Sequence, residues 1–266
     1  MEDVTVRVFR RPAAPVHGTL FVPVGAVPVA AVLVIGGSGG SEPSYVAGAL
    51  AREGMAALSV AYFGRPGLPS QLRGIPLEYF ADALQILRAA VPSPRVPTAV
   101  AGLSRGSEAA MLTAICAPDA VQGVVAAVPA NVIAGSDPPG GPAWLRNGRP
   151  LPYAGHQQSN DQNPDALIPV EQVRGPVLLI AAGADQIWPS AQMARALSAR
   201  LRQHGDLHGH TLLDYPRAGH SLGYLIPQLP PGLLPPGLTD QPADHTARTS
   251  AWPRTIEFLR HLPQPQ

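Results

Sequence analysis

The stretch Ala99-Val-Ala-Gly-Leu-Ser-Arg-Gly-Ser-Glu-Ala-Ala110 contains the strongest local signal in the chain. A short apolar run leads into Gly102-Leu-Ser-Arg-Gly106, and an alanine-rich segment typical of a helix follows directly. This order predicts a strand, a tight turn and a helix, with Ser104 at the apex of the turn and glycines leaving room for neighbouring backbone. A serine at a strand–helix turn can equally be structural, so the rest of the chain must decide whether Ser104 is a nucleophile.

Length and composition indicate a globular chain with an ordinary surface. The 266 residues are 45% hydrophobic and 14% charged, which is enough to bury a sizeable core, and we expect a single domain over residues 1–266. The formal net charge of +1 gives no electrostatic footprint for nucleic acid or an anionic membrane, so neither is expected as a partner.

Several kinds of chemistry are excluded by residue usage. All 19 basic residues are arginine, which excludes Schiff-base or P-loop chemistry built on lysine. Cys116, the single cysteine, lies in an apolar helical run and is expected to be a buried structural thiol rather than a nucleophile. There is no His-Glu-x-x-His motif and no multi-cysteine site, so we expect no metal and no organic cofactor.

The N-terminus and the hydropathy pattern predict a cytoplasmic location. Met1-Glu-Asp-Val carries acidic residues where a signal peptide carries positive charge, and no apolar run reaches transmembrane length. Membrane insertion is therefore not expected.

Apolar runs alternate with helical segments along most of the chain, which predicts an α/β fold with a mostly parallel, doubly wound sheet. The first two runs follow a strand pattern and are separated by a proline-rich turn, so they are expected as an antiparallel hairpin at the sheet edge. The predicted strands are 4–8, 16–22, 30–35, 56–61, 99–101, 122–128, 177–182 and 210–215, and the predicted helices are 45–53, 77–89, the segment after Ser104, 191–203 and 247–262. Residues 129–169 and 225–242 lack periodicity and are expected to be irregular, lid-like loops near a site.

Two residues beyond later strands complete a nucleophilic site. Asp185 follows the strand at 177–182, and His220 follows the strand at 210–215. A serine hydroxyl needs a base to take its proton and a third group to orient that base. The chain order Ser104, Asp185, His220 is the order found in α/β-hydrolases, and strand ends are where open α/β sheets place their sites. The sequence therefore predicts a catalytic triad.

Backbone N–H groups at two turns are candidates for an oxyanion hole. One belongs to Arg105, directly after the nucleophile, and the other comes from Ser38 and Gly39 in the glycine-rich turn after the strand at 30–35. A nucleotide-phosphate loop over 36–40 is the alternative for that turn. It is disfavoured because the third glycine of G-x-G-x-x-G is missing and no acidic residue ends the next strand.

Three aromatic residues are candidates for an acyl pocket. Trp144, Tyr153 and Trp188 could contact the substrate, although packing beneath a loop explains each as readily. Glu108, one helical turn past Ser104, is expected to stabilise the helix N-terminus, and a catalytic role for it is the less favoured alternative.

With these residues placed, the chain resembles the family of acyl-CoA thioesterases and bile-acid-CoA:amino-acid N-acyltransferases over its C-terminal catalytic domain. The resemblance extends from about residue 16 onward. Its matching segments are Gly36-Gly-Ser-Gly-Gly-Ser, Gly74-Ile-Pro-Leu-Glu-Tyr-Phe80, Gly102-Leu-Ser-Arg-Gly-Ser107, Ala143-Trp-Leu-Arg-Asn-Gly-Arg-Pro-Leu-Pro-Tyr153, Gly175-Pro-Val-Leu-Leu-Ile180, Asp185-Gln-Ile-Trp-Pro-Ser190, Gly219-His220 and Trp252-Pro-Arg.

This resemblance implies an α/β-hydrolase fold with Ser104, Asp185 and His220 on the family's triad positions. Family members that transfer acyl groups to amino acids tend to use cysteine as nucleophile, so the serine favours hydrolysis of an acyl thioester or ester. Larger members carry an N-terminal β-sandwich domain, which we expect this chain to lack. Two alternatives stay open: an acyltransferase or cyclase that passes the acyl group to an amine or hydroxyl, and a ligand-binding relative with a vestigial triad. The two irregular loops could also form an interface in a homo-oligomer.

Overall fold

The computed structural model describes residues 4–10, 13–155 and 163–265, and it contains a large sheet flanked by helices. The strands are β1 Val4–Phe9, β2 His17–Pro23, β3 Ala31–Ile35, β4 Ala56–Ala61, β5 Ile75–Pro76, β6 Thr98–Leu103, β7 Gly123–Ala127, β8 Trp144–Arg146, β9 Arg149–Pro150, β10 Val177–Ala182 and β11 His210–Tyr215. The helices are α1 Ser44–Arg52, α2 Glu78–Ala89, α3 Arg105–Cys116, α4 Ser190–Gln203 and α5 Pro242–Arg260.

The main sheet has eight strands in the order β1-β2-β4-β3-β6-β7-β10-β11. β1 and β2 form the expected antiparallel hairpin at one edge, and β2 also pairs antiparallel with β4. From β4 to β11 every neighbouring pair is parallel. The predicted doubly wound α/β fold is confirmed.

Alternating side chains of the central strands feed two separate cores, as the two-residue period of a strand requires. In β3, Leu33 and Ile35 face the core that contains α2, α3 and α4, whereas Val32 and Val34 face the core beneath α1 and α5. Because helices cover both faces, all five residues of β3 are buried. The continuous apolar run therefore marks a strand in the middle of the sheet.

The segment 129–169 contains structure that its lack of periodicity does not reveal. β8 and β9 pair antiparallel within it, and β8 also pairs parallel with β5, which forms a small three-stranded sheet. Strands of two or three residues are too short to show a hydrophobic period, so this part of the loop prediction is wrong. None of the helices in the described part of the chain combines the length and apolar character needed to span a bilayer.

Candidate active site

The turn between β6 and α3 holds Ser104 in a conformation that few residues adopt. Its φ is 54° and its ψ is −122°, and its N–H donates to the carbonyl of Ala127 at 3.0 Å. A side chain at Gly102 would overlap the backbone of Gly106, and one at Gly106 would overlap the carbonyl groups that end β3. Both glycines are therefore required by close backbone approach, and the strained turn presents the serine hydroxyl at the end of the strand.

Three side chains from distant parts of the chain meet at this turn. His220 Nε2 lies 3.0 Å from Ser104 Oγ, and His220 Nδ1 lies 2.8 Å and 3.0 Å from the two carboxylate oxygens of Asp185. The side chain of Asp185 is 1% exposed and that of His220 is 11% exposed. The structure thus brings together the three residues predicted as a triad, in the connectivity that a nucleophile, a base and an orienting acid require.

Asp185 is held by its own loop. Its Oδ1 accepts the N–H groups of Ile187 at 2.9 Å and Trp188 at 3.3 Å, and its Oδ2 accepts the hydroxyl of Ser190 at 2.6 Å. These donors fix the carboxylate plane, which in turn fixes the imidazole of His220 through Nδ1.

The residues on both sides of His220 are anchored to α5. The N–H of Gly219 donates to Asp244 Oδ1, and the hydroxyl of Ser221 donates to Asp244 Oδ2 at 2.8 Å. Ser221 Oγ also lies 2.8 Å from Asp240 Oδ1. The loop that carries the histidine is therefore tied at each flank, which limits the positions that the imidazole can take.

A second serine–histidine–aspartate array shows that connectivity alone does not make a site. Ser198 Oγ lies 2.7 Å from His210 Nε2, and His210 Nδ1 lies 2.8 Å from Asp206. Ser198, however, is fully buried inside α4 and already accepts a hydrogen bond from Arg202. Because its hydroxyl is fully buried and out of reach of a substrate, this array is structural. Among the described residues no group of three or more His, Cys, Asp or Glu side chains could hold a metal ion.

The glycine-rich turn after β3 is fixed from beneath by a buried tyrosine. The hydroxyl of Tyr62 donates to the carbonyl of Gly36 at 2.9 Å and lies 3.2 Å from that of Gly37. A Cβ at Gly37 would lie 3.2 Å from Ser104 Cβ, so the turn packs directly against Ser104. Burial raises the pKa of Tyr62, which keeps its hydroxyl neutral and able to donate. The carbonyl of Gly37 and the N–H of Ser38 belong to the same peptide group, so contact with Tyr62 restrains the orientation of both.

A buried network lies under the second candidate oxyanion donor. Arg105 Nε is 2.8 Å from Glu108 Oε1, and the guanidinium also donates to the carbonyls of Ala134 and Gly135. Glu108 Oε2 accepts the indole N–H of Trp144 at 2.9 Å and the N–H of Ala134. Burial raises the pKa of Glu108, while Arg105 and Trp144 act in the opposite direction. The arginine side chain thus holds the start of α3, and Arg105 is not among the residues that line the cavity at Ser104.

Ser104 and His220 open into a cavity of about 630 Å³. Ser38 and Gly39, predicted as oxyanion residues, lie in its wall. In the described part of the chain, the wall contains no arginine, aspartate or glutamate. The other wall residues are Gly36, Gly37, Ser41, Pro43, Tyr45, Leu103, Ile187, Gly223, Tyr224 and the segment 232–238.

None of the three aromatic residues predicted to contact substrate lies in this wall, so that prediction needs correction. Trp144 is fully buried beneath the site, where Glu108 holds its indole. Tyr153 is exposed and lies beside Gly135, outside the cavity. Trp188 donates to a backbone carbonyl at 3.1 Å and packs edge-on against His220, with ring centroids 5.9 Å apart.

The aromatic residues that do line the cavity are Tyr45 and Tyr224, which the sequence prediction missed. Tyr45 lies in α1, shortly after the glycine-rich turn, and Tyr224 lies four residues after His220. Closeness in sequence to the predicted oxyanion turn and to the predicted base is the signal that could have identified them.

Comparison with known protein families and structures agrees with this geometry. Residues 151–231 match the family described as BAAT / Acyl-CoA thioester hydrolase C terminal, a segment that includes Asp185 and His220. The chain is 31% identical over 217 residues to mouse acyl-coenzyme A thioesterase 1, covering 77% of this chain and 51% of that protein. It is 30% identical over 217 residues to rat acyl-coenzyme A amino acid N-acyltransferase 2, covering 77% of this chain and 52% of that protein. The chain therefore spans about half the length of these curated relatives.

Solved structures support the fold independently. A putative dienelactone hydrolase from Klebsiella pneumoniae superposes with a TM-score of 0.65 at 13% identity, covering 97% of this chain and 99% of that one. At that identity the likeness concerns the fold alone. The chain belongs to the α/β-hydrolase family formed by the C-terminal domains of acyl-CoA thioesterases and the related N-acyltransferases.

Proposed function

We propose that the chain is a serine hydrolase that cleaves an acyl thioester or ester through an acyl-enzyme. The observation that carries this proposal is the continuous set of contacts from Ser104 Oγ through His220 to Asp185 at the floor of a cavity. The relatives named as acyl-coenzyme A thioesterases support the same class of substrate.

The reaction begins when Ser104 Oγ attacks the acyl carbonyl carbon. His220 Nε2 takes the hydroxyl proton, and Asp185 stabilises the imidazolium that forms. Collapse of the tetrahedral intermediate breaks the bond to the leaving thiol or alcohol, which receives the proton from His220. Water, deprotonated by the same imidazole, then attacks the acyl-enzyme, releases the free acid and restores the serine.

Charge that develops on the carbonyl oxygen requires donors in fixed positions. The backbone N–H of Arg105 is at the first residue of α3 and has no acceptor within its own helix. The Ser38 and Gly39 peptides face it from the glycine-rich turn. We assign these N–H groups to the oxyanion hole because both elements meet at Ser104.

The cavity also indicates the acyl group. Its wall is dominated by leucine, proline, glycine and tyrosine, and in the described residues it offers no arginine to a carboxylate. A dicarboxylic acyl group would lose its hydration there without compensation. The proposed substrate therefore carries an uncharged acyl group, with an acyl thioester or ester as the only partner required.

The test compares Ser104→Ala with Ser198→Ala, which removes the serine of the structural array. Purified protein is incubated with a fluorophosphonate and with octanoyl thioester, and adducts and free octanoate are measured by mass spectrometry. The wild type and Ser198→Ala are expected to form an adduct and release acid, whereas Ser104→Ala does neither. Turnover by Ser104→Ala would refute the proposal, and an unlabelled wild type would favour a ligand-binding protein.

Acyl transfer is the second candidate, because an amino acid N-acyltransferase matches the chain about as well as the thioesterases do. Adding glycine or taurine to the same assay separates the two reactions. Hydrolysis yields free acid at a rate independent of the amine, whereas transfer yields an N-acyl conjugate. Dominant conjugate formation would replace hydrolysis as the function.

A further inference from the structure

Two tyrosines lie side by side in the wall of the cavity. The rings of Tyr45 and Tyr224 lie nearly parallel, with an interplanar angle of 28° and centroids 6.0 Å apart. Both belong to the cavity wall, together with the leucines and prolines of the segment 232–238. They add two phenol groups to a wall whose other polar side chains, Ser38, Ser41, Ser104 and His220, lie at the glycine-rich turn and the proposed triad.

Neither hydroxyl is used by the protein. Among the described residues, no group forms a hydrogen bond with the hydroxyl of Tyr45 or Tyr224, whereas the buried tyrosines Tyr62 and Tyr79 both donate to backbone carbonyls. Burial raises the pKa of Tyr45 and of Tyr224, so both phenols are uncharged near neutral pH. Both residues are partly buried in the cavity wall, so their hydroxyls remain accessible and can donate to an acceptor on a bound ligand.

Arg248 does not turn this spot into an anion site. Its charge opposes the rise in the pKa of Tyr45 that burial causes, but its guanidinium is buried and already committed. It donates to the carboxylate of Asp240, to Ser221 and to the carbonyl of Ile226. A ligand therefore meets two neutral donors, which suit an uncharged oxygen better than a carboxylate.

We propose that Tyr45 and Tyr224 form a polar subsite that binds a neutral oxygen substituent, a hydroxyl or keto group, on the acyl chain. The inference rests on the proposed function, since it takes the acyl group of the substrate to be the occupant of this cavity. It narrows the substrate from any uncharged acyl group to one that carries oxygen at a position away from the reacting carbonyl.

Binding is measured in the Ser104→Ala background, so the result does not depend on hydrolysis. The probes are the N-acetylcysteamine thioesters of octanoate and of the hydroxyoctanoates, with one isomer for each position of the hydroxyl. Dissociation constants are obtained by titration calorimetry. At least one hydroxy isomer is expected to bind about threefold to tenfold more tightly than the octanoyl thioester, as one neutral hydrogen bond allows.

Tyr45→Phe and Tyr224→Phe, added to this background, are expected to reduce that preference, and the double variant to abolish it. The preference is scored in each variant as the ratio of the two dissociation constants, so a change in the apolar contacts of the wall affects both ligands and cancels. Tyr215→Phe is the matched control, because its hydroxyl bonds to Ser250 outside the cavity.

The inference is overturned if no hydroxy isomer binds better than the octanoyl thioester, or if the double variant keeps the preference. Failure of the proposed function is recognised separately, because the wild type then releases no octanoate whatever the binding constants show.

Discussion

The carbonyl oxygen of Gly37 lies 3.2 Å from the hydroxyl of the buried Tyr62. In a trans peptide the C=O and the following N–H point in opposite directions. Contact of this carbonyl with Tyr62 therefore directs the N–H of Ser38 away from the tyrosine hydroxyl. The tyrosine is a positioning residue for the proposed oxyanion hole.

Tyr62→Phe is expected to lower kcat about tenfold to a hundredfold while KM changes little. The change leaves the N–H of Ser38 in place but removes the contact that restrains its orientation. The loss in kcat is therefore smaller than the 10²–10³-fold effect of deleting an oxyanion donor. Steady-state kinetics with the octanoyl thioester measures the split. Tyr79→Phe is the control, because this buried hydroxyl bonds to the carbonyl of Ala61 instead. An equal fall in kcat for both variants would indicate a general effect of packing.

Asp185→Asn is expected to reduce kcat by about 10³- to 10⁴-fold without unfolding the protein. The N–H groups of Ile187 and Trp188 require an oxygen at the Oδ1 position, so the amide nitrogen must face His220. The imidazole then carries its proton on Nε2 and cannot accept the proton of Ser104.

Steady-state kinetics across a range of pH measures the fall in kcat of Asp185→Asn. The control is Asp206→Asn, which makes the same change in the structural array. Near-normal turnover by Asp185→Asn would show that the carboxylate does not orient the base.

The predicted site follows from features that are local in sequence. Ser104, Asp185 and His220 each lie shortly after the end of an apolar run, and parallel strands bring their carboxyl ends to one edge of a sheet. The same runs predict β4, β10 and β11 with their observed boundaries. Periodicity and chain order were sufficient for both results.

The wall of the cavity depends on contacts between distant segments, which no local pattern reveals. Trp144 lies beneath the site, where its indole N–H donates to the carboxylate of Glu108, 36 residues earlier in the chain. Tyr45 and Tyr224 meet only after α1 and the histidine loop pack together. Aromatic character identified candidate pocket residues, but the burial of each ring is decided by its partners across the fold.

Glu108→Ala is expected to lower the free energy of unfolding by about 3–5 kcal/mol, because it leaves the guanidinium of Arg105 buried and unpaired. Urea denaturation measures the loss. Glu171→Ala is the control: its ion pair with Arg200 is partly exposed, so about 1 kcal/mol or less is expected.

Replacing both members of the buried pair, Arg105→Met with Glu108→Leu, is expected to regain much of that stability, since no charge is then left without a partner. If Glu108→Ala were as stable as the wild type, the pair would contribute nothing to holding α3.

Acidification is expected to weaken the attachment of the cavity wall through Asp240. The hydrogen bonds from Arg248, followed by that from Ser221, hold the pKa of the Asp240 carboxyl below its ordinary value of 3.8. A carboxyl with a lowered pKa in the folded protein stabilises the fold above its ordinary pKa, and this contribution is lost as the pH falls through the lowered value. Asp240→Asn is therefore expected to destabilise the protein at neutral pH and to flatten part of its decline in acid. Urea denaturation at a series of pH values tests this, with Asp119→Asn as the control because its pair with Arg174 is largely exposed.

Since Asp240 follows the wall segment 232–238, the Asp240→Asn variant should also raise KM for the octanoyl thioester more than it lowers kcat. An unchanged KM together with a parallel decline in acid would show that the ion pair does not hold the wall.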